Sequence, residues 1–331
     1  MRVEAVAVGT RSSACAIAVY GQGVLAEAVA ALIGIRGHQV ALVGTREGVA
    51  RRCEITTDAN VHYTTACAVK ALPDLCGLRG AEAVVVAVPA TAYGATVEEL
   101  FPHLASGQTV FIVGAALGAA LEFESLLSRR GDLMISVVEI SRPFTSAEVS
   151  PTGLRISGAR DTLMLSGRTL NQTRTGLSAG GGILNGLVPA SNILERAFFD
   201  MDRWLDTAAL LFSVLGTQPT PAVTAVMAAL RQELQQLAKA YGINRLPEPH
   251  VARQVRNPDH AAALLEEGIV DEFVILSTLA RLKYMTTPVL DAVIDLSSAV
   301  LGTDVRKEGR QIDDLGLIGM DAQEISEHIS A

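Results

Sequence analysis

Two glycines one residue apart, Gly21 and Gly23, stand between an apolar run, ACAIAVY at 14–20, and the stretch VLAEAVAALIGIRG at 24–37. The first run predicts a short buried strand. The second is apolar nearly all round, is built of strong helix formers and closes on a glycine, so it predicts a buried helix with a C-terminal stop. QVALVG, 39–44, predicts a second strand. The glycines therefore open the helix of a strand–helix–strand unit. In that setting GxGxxA has a physical meaning. The first glycine permits a tight turn, the second lets backbone approach a pyrophosphate, and the small third residue lets helix and strand pack closely. The helix start adds free N–H groups and the positive end of its dipole. Gly21, Gln22, Gly23, Val24 and Leu25 are thus candidate dinucleotide-binding residues.

The end of the second strand selects the dinucleotide. NAD enzymes of this plan place a carboxylate there to hold both ribose hydroxyls. Here the residues are Gly44-Thr45-Arg46, and Glu47 comes late. Thr45 can donate to a 2′-phosphate and Arg46 can pair with it, with Arg51 or Arg52 assisting. The reading is NADPH in preference to NADH; the other reading of these arginines is a set of solvated charges. Val88, Pro89 and Ala90 end a later strand with small residues, which suits a nicotinamide ring and equally suits plain strand termination.

Downstream, strands at 81–90, 108–114 and 133–141 alternate with helices at 97–104 and 121–131, the pattern of a parallel sheet covered on both faces. Residues 153–166 read as a hairpin around Gly158 and Ala159, and 178–186 as a glycine-rich loop. From about residue 195 helical periodicity takes over: 202–215, 221–241, 259–267, 271–283, 288–301 and 321–329. The expected fold is α/β, a Rossmann-type doubly wound parallel sheet followed by an all-α C-terminal domain, divided as 1–195 and 196–331. RVEAVAV, at the N-terminus, alternates like a strand and reads as an added edge strand or a disordered extension.

With 331 residues, 49% of them hydrophobic, the chain can bury a two-domain core. A net charge of −8 argues against a nucleic-acid or anionic-membrane binder. No stretch approaches the ~20 apolar residues that span a bilayer, and Thr10 to Ser13 break the only signal-like segment. Cys15, Cys53, Cys67 and Cys76 form no CxxC pair and read as buried thiols of a reducing cytoplasm, with no metal site.

Several blocks resemble the octopine/nopaline, or opine, dehydrogenase family: GQGVLAEAVAALIGIRGHQVALV, VVVAVPATAYGATVEEL, GAALGAALEFESLL, LVPASNILERAF and the run 287–317 with its TP, aspartate, EGR and DLGL. The resemblance implies NAD(P)H-dependent reduction of the imine formed from an amino acid and a 2-oxo acid. It also implies a histidine–aspartate pair for proton transfer. Asp291 matches the aspartate. The histidine's place, counted from Asn192-Ile193-Leu194-Glu195, falls in 202–207, which holds no histidine; the best register puts Asp206 there.

Imidazole exchanges protons near pH ~6.5 unaided, whereas a carboxylate near ~4 must have its pKa raised. Two carboxylates sharing a site would raise one of their pKa values. Asp206 and Asp291 are therefore the expected catalytic pair, with Lys283 and Tyr284 as helpers; the other reading makes Asp206 a solvated helix residue. Arg310 reads as a clamp for a substrate carboxylate or as a bridge between helices. Trp204 reads as a pocket wall or as core, and Arg203 as a partner for an anion. The expected activity is NADPH-dependent reduction of a C=N bond in a small-molecule substrate, by a cytoplasmic homodimer. A ketone or 2-oxo-acid reductase, similar in plan to ketopantoate reductases, and a non-catalytic dinucleotide-binding relative are the alternatives.

Overall fold

The computed structural model describes residues 17–44, 52–66, 69–75, 78–150, 152–184, 186–212, 220–246, 265 and 268–329. The chain starts a sheet with β1 (Ile17–Tyr20), turns at Gly21 and runs into α1 (Gly23–Gly34). β2 (Val40–Val43), β5 (Val69–Leu72), β6 (Ala83–Val86), β7 (Thr109–Val113) and β8 (Ser136–Ile140) complete a parallel set. Their spatial order, β5-β2-β1-β6-β7-β8, reverses direction between β1 and β6. That is the doubly wound arrangement, and the crevice at its switch point is where such sheets hold ligands. β11 (Leu163–Gly167) then adds antiparallel to β8, and β12 (Leu187–Pro189) parallel to β11, giving eight strands. α2 (Tyr93–Leu100), α3 (Ala119–Ser128) and α4 (Leu170–Gly180) connect the later strands.

A second sheet of four strands, β4 (His62–Ala66), β3 (Arg52–Thr57), β10 (Gly153–Ala159) and β9 (Ser146–Ser150), is not anticipated by the sequence reading. Its inner residues Cys53, Ile55, Leu154 and Ile156 share one core with Ala28, Val29 and Ile33 of α1. This explains why α1 is apolar all round: it lies between two sheets, and a helix buried on two sides carries no polar stripe. The sheet also corrects the expected hairpin over 153–166. β10 pairs with β3 and β9, whereas β11 joins the main sheet, so the two segments that read as partners belong to different layers. The expected loop at 178–186 begins inside α4.

After β12 every described element is helical: α5 (Ile193–Phe199), α6 (Met201–Leu210), α7 (Pro221–Ala240), a π-helical turn (Ile269–Phe273), α8 (Val274–Leu282), α9 (Pro288–Leu301), α10 (Val305–Glu308) and α11 (Ala322–His328). The expected helix at 259–267 lies, but for Leu265, outside the described residues, as do the N-terminal alternating segment and Cys15, Cys67 and Cys76. Cys53 is buried. No described helix is long and apolar enough to cross a membrane. One hydrophobic core runs from Val84 and Ile112 of the sheet through Phe123 of α3 to Phe198, Trp204, Phe273 and Ile294 of the helices. The helical half is therefore packed directly onto one face of the sheet.

Candidate active site

The backbone leaves β1 through Gly21, whose φ of +151° disfavours any side chain. A Cβ there would come within 2.4 Å of the Ala87 carbonyl oxygen, at the end of β6. The peptide thus crosses the switch point at backbone contact distance, and Ala87 N–H donates back to the Tyr20 carbonyl at 2.9 Å. Gly23 has φ +73° and faces open space. Gln22, the N-cap, makes no side-chain cap hydrogen bond, so the N–H groups that open α1 are not covered by that side chain. These features fit a dinucleotide pyrophosphate: a turn that only glycine can make, room above it, and a helix start without a side-chain cap. Gln22 is exposed and Val24 and Leu25 are half-buried on the same turn. Val88 and Pro89 are half-buried and Ala90 is buried, directly after the Ala87 contact. The chain bends at Gly44, just after β2, with φ +79°. Thr45 and Arg46, expected at the ribose, lie outside the described residues.

Next along the sheet, the turn 114–118 after β7 is held by arginines from the helical half. Arg203 donates to the Gly114 carbonyl at 3.4 Å; Arg196 donates to those of Ala115 and Ala116 at 3.0 and 2.9 Å; Arg310 donates to that of Leu117 at 3.2 Å. Four successive carbonyls are taken by three guanidiniums. Each arginine has a carboxylate partner. Arg196 pairs with Glu139 of β8 at 2.8 Å, both fully buried, and the second oxygen of Glu139 accepts from Ala120 N–H at the start of α3. Burial pushes the Glu139 carboxyl up against the opposing pull of Arg196. Arg203 meets Glu272 at 3.0 Å. Arg310 meets Glu122 at 2.6 Å and donates to the Asp271 carbonyl at 2.9 Å. Burial works against the charge of Arg203 and Arg310, yet the neighbouring acids, Glu272 for the first and Glu122 for the second, with Asp271 close to both, hold each pKa above its ordinary value.

This network decides among several expectations. Arg310 is the bridge, not a clamp for substrate: four of its N–H···O contacts go to Glu122, Asp271 and Leu117. Trp204 is core, not a pocket wall. It is 0% exposed, stacks edge-on against Phe198 at 5.1 Å, and its indole N–H donates to Glu272. Arg203 keeps 12% of its side chain accessible beside Gly114, at the carboxyl end of β7.

Asp291 sits in the first turn of α9. Its carboxylate accepts from Ser277 Oγ at 2.8 Å and Thr287 Oγ1 at 3.5 Å, and pairs with Arg306 at 3.2 Å. Asp206 is half-buried on α6. Both helices pack on α7 and on the π-helical turn. The sequence reading supplies neither Ser277 nor Arg306 as a partner for Asp291. Lys283 lies with its ammonium 4.6 Å over the ring of Tyr241. Tyr284 is 98% exposed and has φ +55°. Glu139, Arg196, Glu272 and Glu122 are absent from the expectations. Charged residues inside apolar runs, as in SVVEIS and NILERAFF, are the signal that could have found the first two.

No family model matches the chain. An opine dehydrogenase from Arthrobacter sp. (strain 1C) is 23% identical over 279 residues, covering 74% of this chain and 78% of that enzyme. Octopine dehydrogenase solved with NADH and L-arginine superposes with a TM-score of 0.65 at 15% identity, over 95% of this chain and 97% of that one. Yersinopine dehydrogenase with NADP+ bound gives 0.58 at 15%, over 95% and 97%. A PanE/ApbA family ketopantoate reductase from Ralstonia eutropha JMP134 gives 0.63 at 17%, over 86% and 97%. The chain is thus similar in sequence to an opine dehydrogenase, and in fold to octopine and yersinopine dehydrogenases and to a ketopantoate reductase.

Proposed function

We propose that the protein is an NAD(P)-dependent oxidoreductase that reduces a C=N bond, as opine dehydrogenases do, with NADPH as its preferred cofactor. The observation that carries the cofactor is the Gly21 turn, where Ala87 occupies the space of a Cβ. The sequence relationship to an opine dehydrogenase carries the reaction class. Bound NADPH supplies the hydride. Gly21, Gln22, Gly23, Val24 and Leu25 hold the pyrophosphate, Thr45 and Arg46 the 2′-phosphate, and Val88 to Ala90 border the nicotinamide. Asp206 and Asp291 handle the proton at the imine nitrogen, with Ser277 and Arg306 fixing the Asp291 carboxylate. Arg203 takes a substrate carboxylate. A preformed or cyclic imine needs no condensation and so asks least of a chain that carries Asp206 where the resembled family has its histidine. The working form is a cytoplasmic homodimer of two-domain subunits split near residue 195; Leu296 and Val300, exposed on α9, suit a helix-face contact.

A second reading, reduction of a ketone or 2-oxo acid, is favoured by the fold shared with ketopantoate reductases. It requires a donor to the alkoxide, and Lys283, held over Tyr241, is the remaining lysine for that role. The test is oxidation of NADPH and of NADH with preformed cyclic imines, amino-acid and oxo-acid pairs, and ketones. Turnover with a C=N substrate supports the first reading. Turnover with ketones alone replaces it by the second. Tight NADPH binding with no turnover on any of them identifies a non-catalytic relative.

A further inference from the structure

A cavity of about 520 Å³ is lined by residues of α3, β8, α4 and α11, and none of the residues at the crevice between β1 and β6 lines it. Gly131, Asp132, Leu133 and Ile135, which precede β8, form part of its wall, so it lies toward the amino end of that strand, whereas dinucleotides bind at the carboxyl ends. The volume falls within the range of small-molecule sites. Leu121, Leu133, Ile135 and Leu315 give it an apolar side. Its polar side holds charges of both signs. Glu124, held by the Gln172 amide, stands 4.0 Å from Arg168. Asp132 and His328, the latter on α11, also line that side, and the His328 pKa is lowered by burial and by the nearby Arg168.

This lining selects a ligand class. A simple anion drawn to Arg168 would face the Glu124 carboxylate, and a simple cation drawn to Glu124 would face the guanidinium. The Arg168–Glu124 separation is at the outer limit of an ion pair, so each group can take a closer, charge-assisted partner. We propose that the cavity is a binding site for a free zwitterionic amino acid. Its carboxylate lies on Arg168, its ammonium on Glu124, and an aliphatic side chain lies on Leu121 and Ile135. Leu315, in the cavity wall, also seats on Gly118: a Cβ there would come within 2.8 Å of it. The site is thus one side chain from the arginine-held turn. It is independent of the reaction proposed above.

The test is isothermal titration calorimetry of the full chain, without dinucleotide, using L-leucine, 4-methylpentanoate and isopentylamine. L-Leucine is expected to bind, and each half-charged analogue to bind at least about tenfold more weakly, the loss of one charge-assisted contact. Arg168→Ala and Glu124→Gln should each weaken L-leucine by roughly tenfold or more. Arg168 is largely exposed, so the thermal midpoint of its variant should stay near that of the parent. Arg203→Ala should leave the L-leucine heat unchanged. The proposal is overturned if L-leucine gives no heat up to its solubility. It is also overturned if an analogue binds as tightly, or if the heat survives Arg168→Ala and disappears in Arg203→Ala, which assigns it to the cleft of the reaction.

Discussion

The α-carbon of Gly21 stands against the carbonyl oxygen of Ala87, so the turn after β1 and the end of β6 touch through backbone alone. An alanine at 21 would meet that oxygen at 2.4 Å and would also have to adopt φ +151°. Gly21→Ala should therefore lower stability by about 1–3 kcal/mol and open the switch-point crevice. Gly23→Ala separates the two effects. Its Cβ meets nothing, so its stability cost should be only the left-handed φ, about 1–2 kcal/mol. Its dinucleotide affinity should still fall at least about tenfold, because the methyl enters the space assigned to the pyrophosphate. Thermal melts and NADPH fluorescence titration measure the two quantities. Unchanged NADPH affinity in Gly23→Ala would move the cofactor off this turn.

Arg310 and Glu122 join the helical half to α3, and both are largely buried. Arg310→Ala leaves Glu122 without its guanidinium in a place where burial already raises its pKa. The expected loss is about 3–5 kcal/mol of stability by urea denaturation. The double variant Arg310→Met, Glu122→Gln should recover part of that loss, since position 122 no longer holds a buried charge without its guanidinium. A fully additive double variant would mean that the two side chains do not act on each other.

Local patterns locate β1, β2, β6, β7 and β8 and the glycine turn: apolar runs of strand length and a GxGxxA step between strand and helix. They miss β5 at the edge of the parallel set and the whole four-stranded sheet. β3 and β10 are 101 residues apart at their starts (153 minus 52) and pair only in the folded chain. The apolar surround of α1 held the clue, since a helix without a polar face must be covered on both sides. The parts of the arginine-held turn lie far apart in the chain, in GAALG, LERAF, EGR and at Arg203, with no local pattern that joins them. Their meeting depends on which carbonyls lie within reach of each guanidinium, and no spacing along the chain encodes that. Residue type alone leaves Trp204 open between wall and core, because burial is a property of the packed helix.

Asp291 and Asp206 carry the proposed proton transfer. Asp291→Asn keeps the shape and the Ser277 contact but cannot accept a proton, so kcat should fall by about 10²–10⁴ with folding intact. Asp206→Asn should do the same if it shares the proton. Steady-state kinetics on the substrate found by the imine panel, with circular dichroism as the folding control, measures both. Undiminished turnover in Asp206→Ala removes that residue from the pair.

Trp204 is the single tryptophan of the chain and is fully buried, with its indole N–H on Glu272. Its emission should be blue-shifted and poorly quenched by acrylamide, and saturating substrate should leave the quenching unchanged. Glu272→Gln keeps the hydrogen-bond acceptor but removes the charge facing Arg203, so Trp204 should stay buried while the Arg203 contact loosens. Strong acrylamide quenching in the parent protein would return Trp204 to the wall of an open pocket.

His328 tests the electrostatics of the cavity beside α3. Burial and then the charge of Arg168 hold its pKa below that of a free histidine, so the folded chain favours the neutral ring. As pH falls, the unfolded chain takes up this proton first. The stability that His328 contributes is therefore complete above its unfolded pKa and is lost as pH falls through the lower folded value. Arg168→Ala removes the repulsion and leaves the burial, so the His328 pKa should rise part of the way toward the free value. The acid-side loss of stability assigned to this group should shrink with it. An NMR titration of the imidazole in the two proteins reads the shift. A His328 pKa that does not move, or that moves down, would show that Arg168 does not act on it and that the cavity's cationic side is not formed as described.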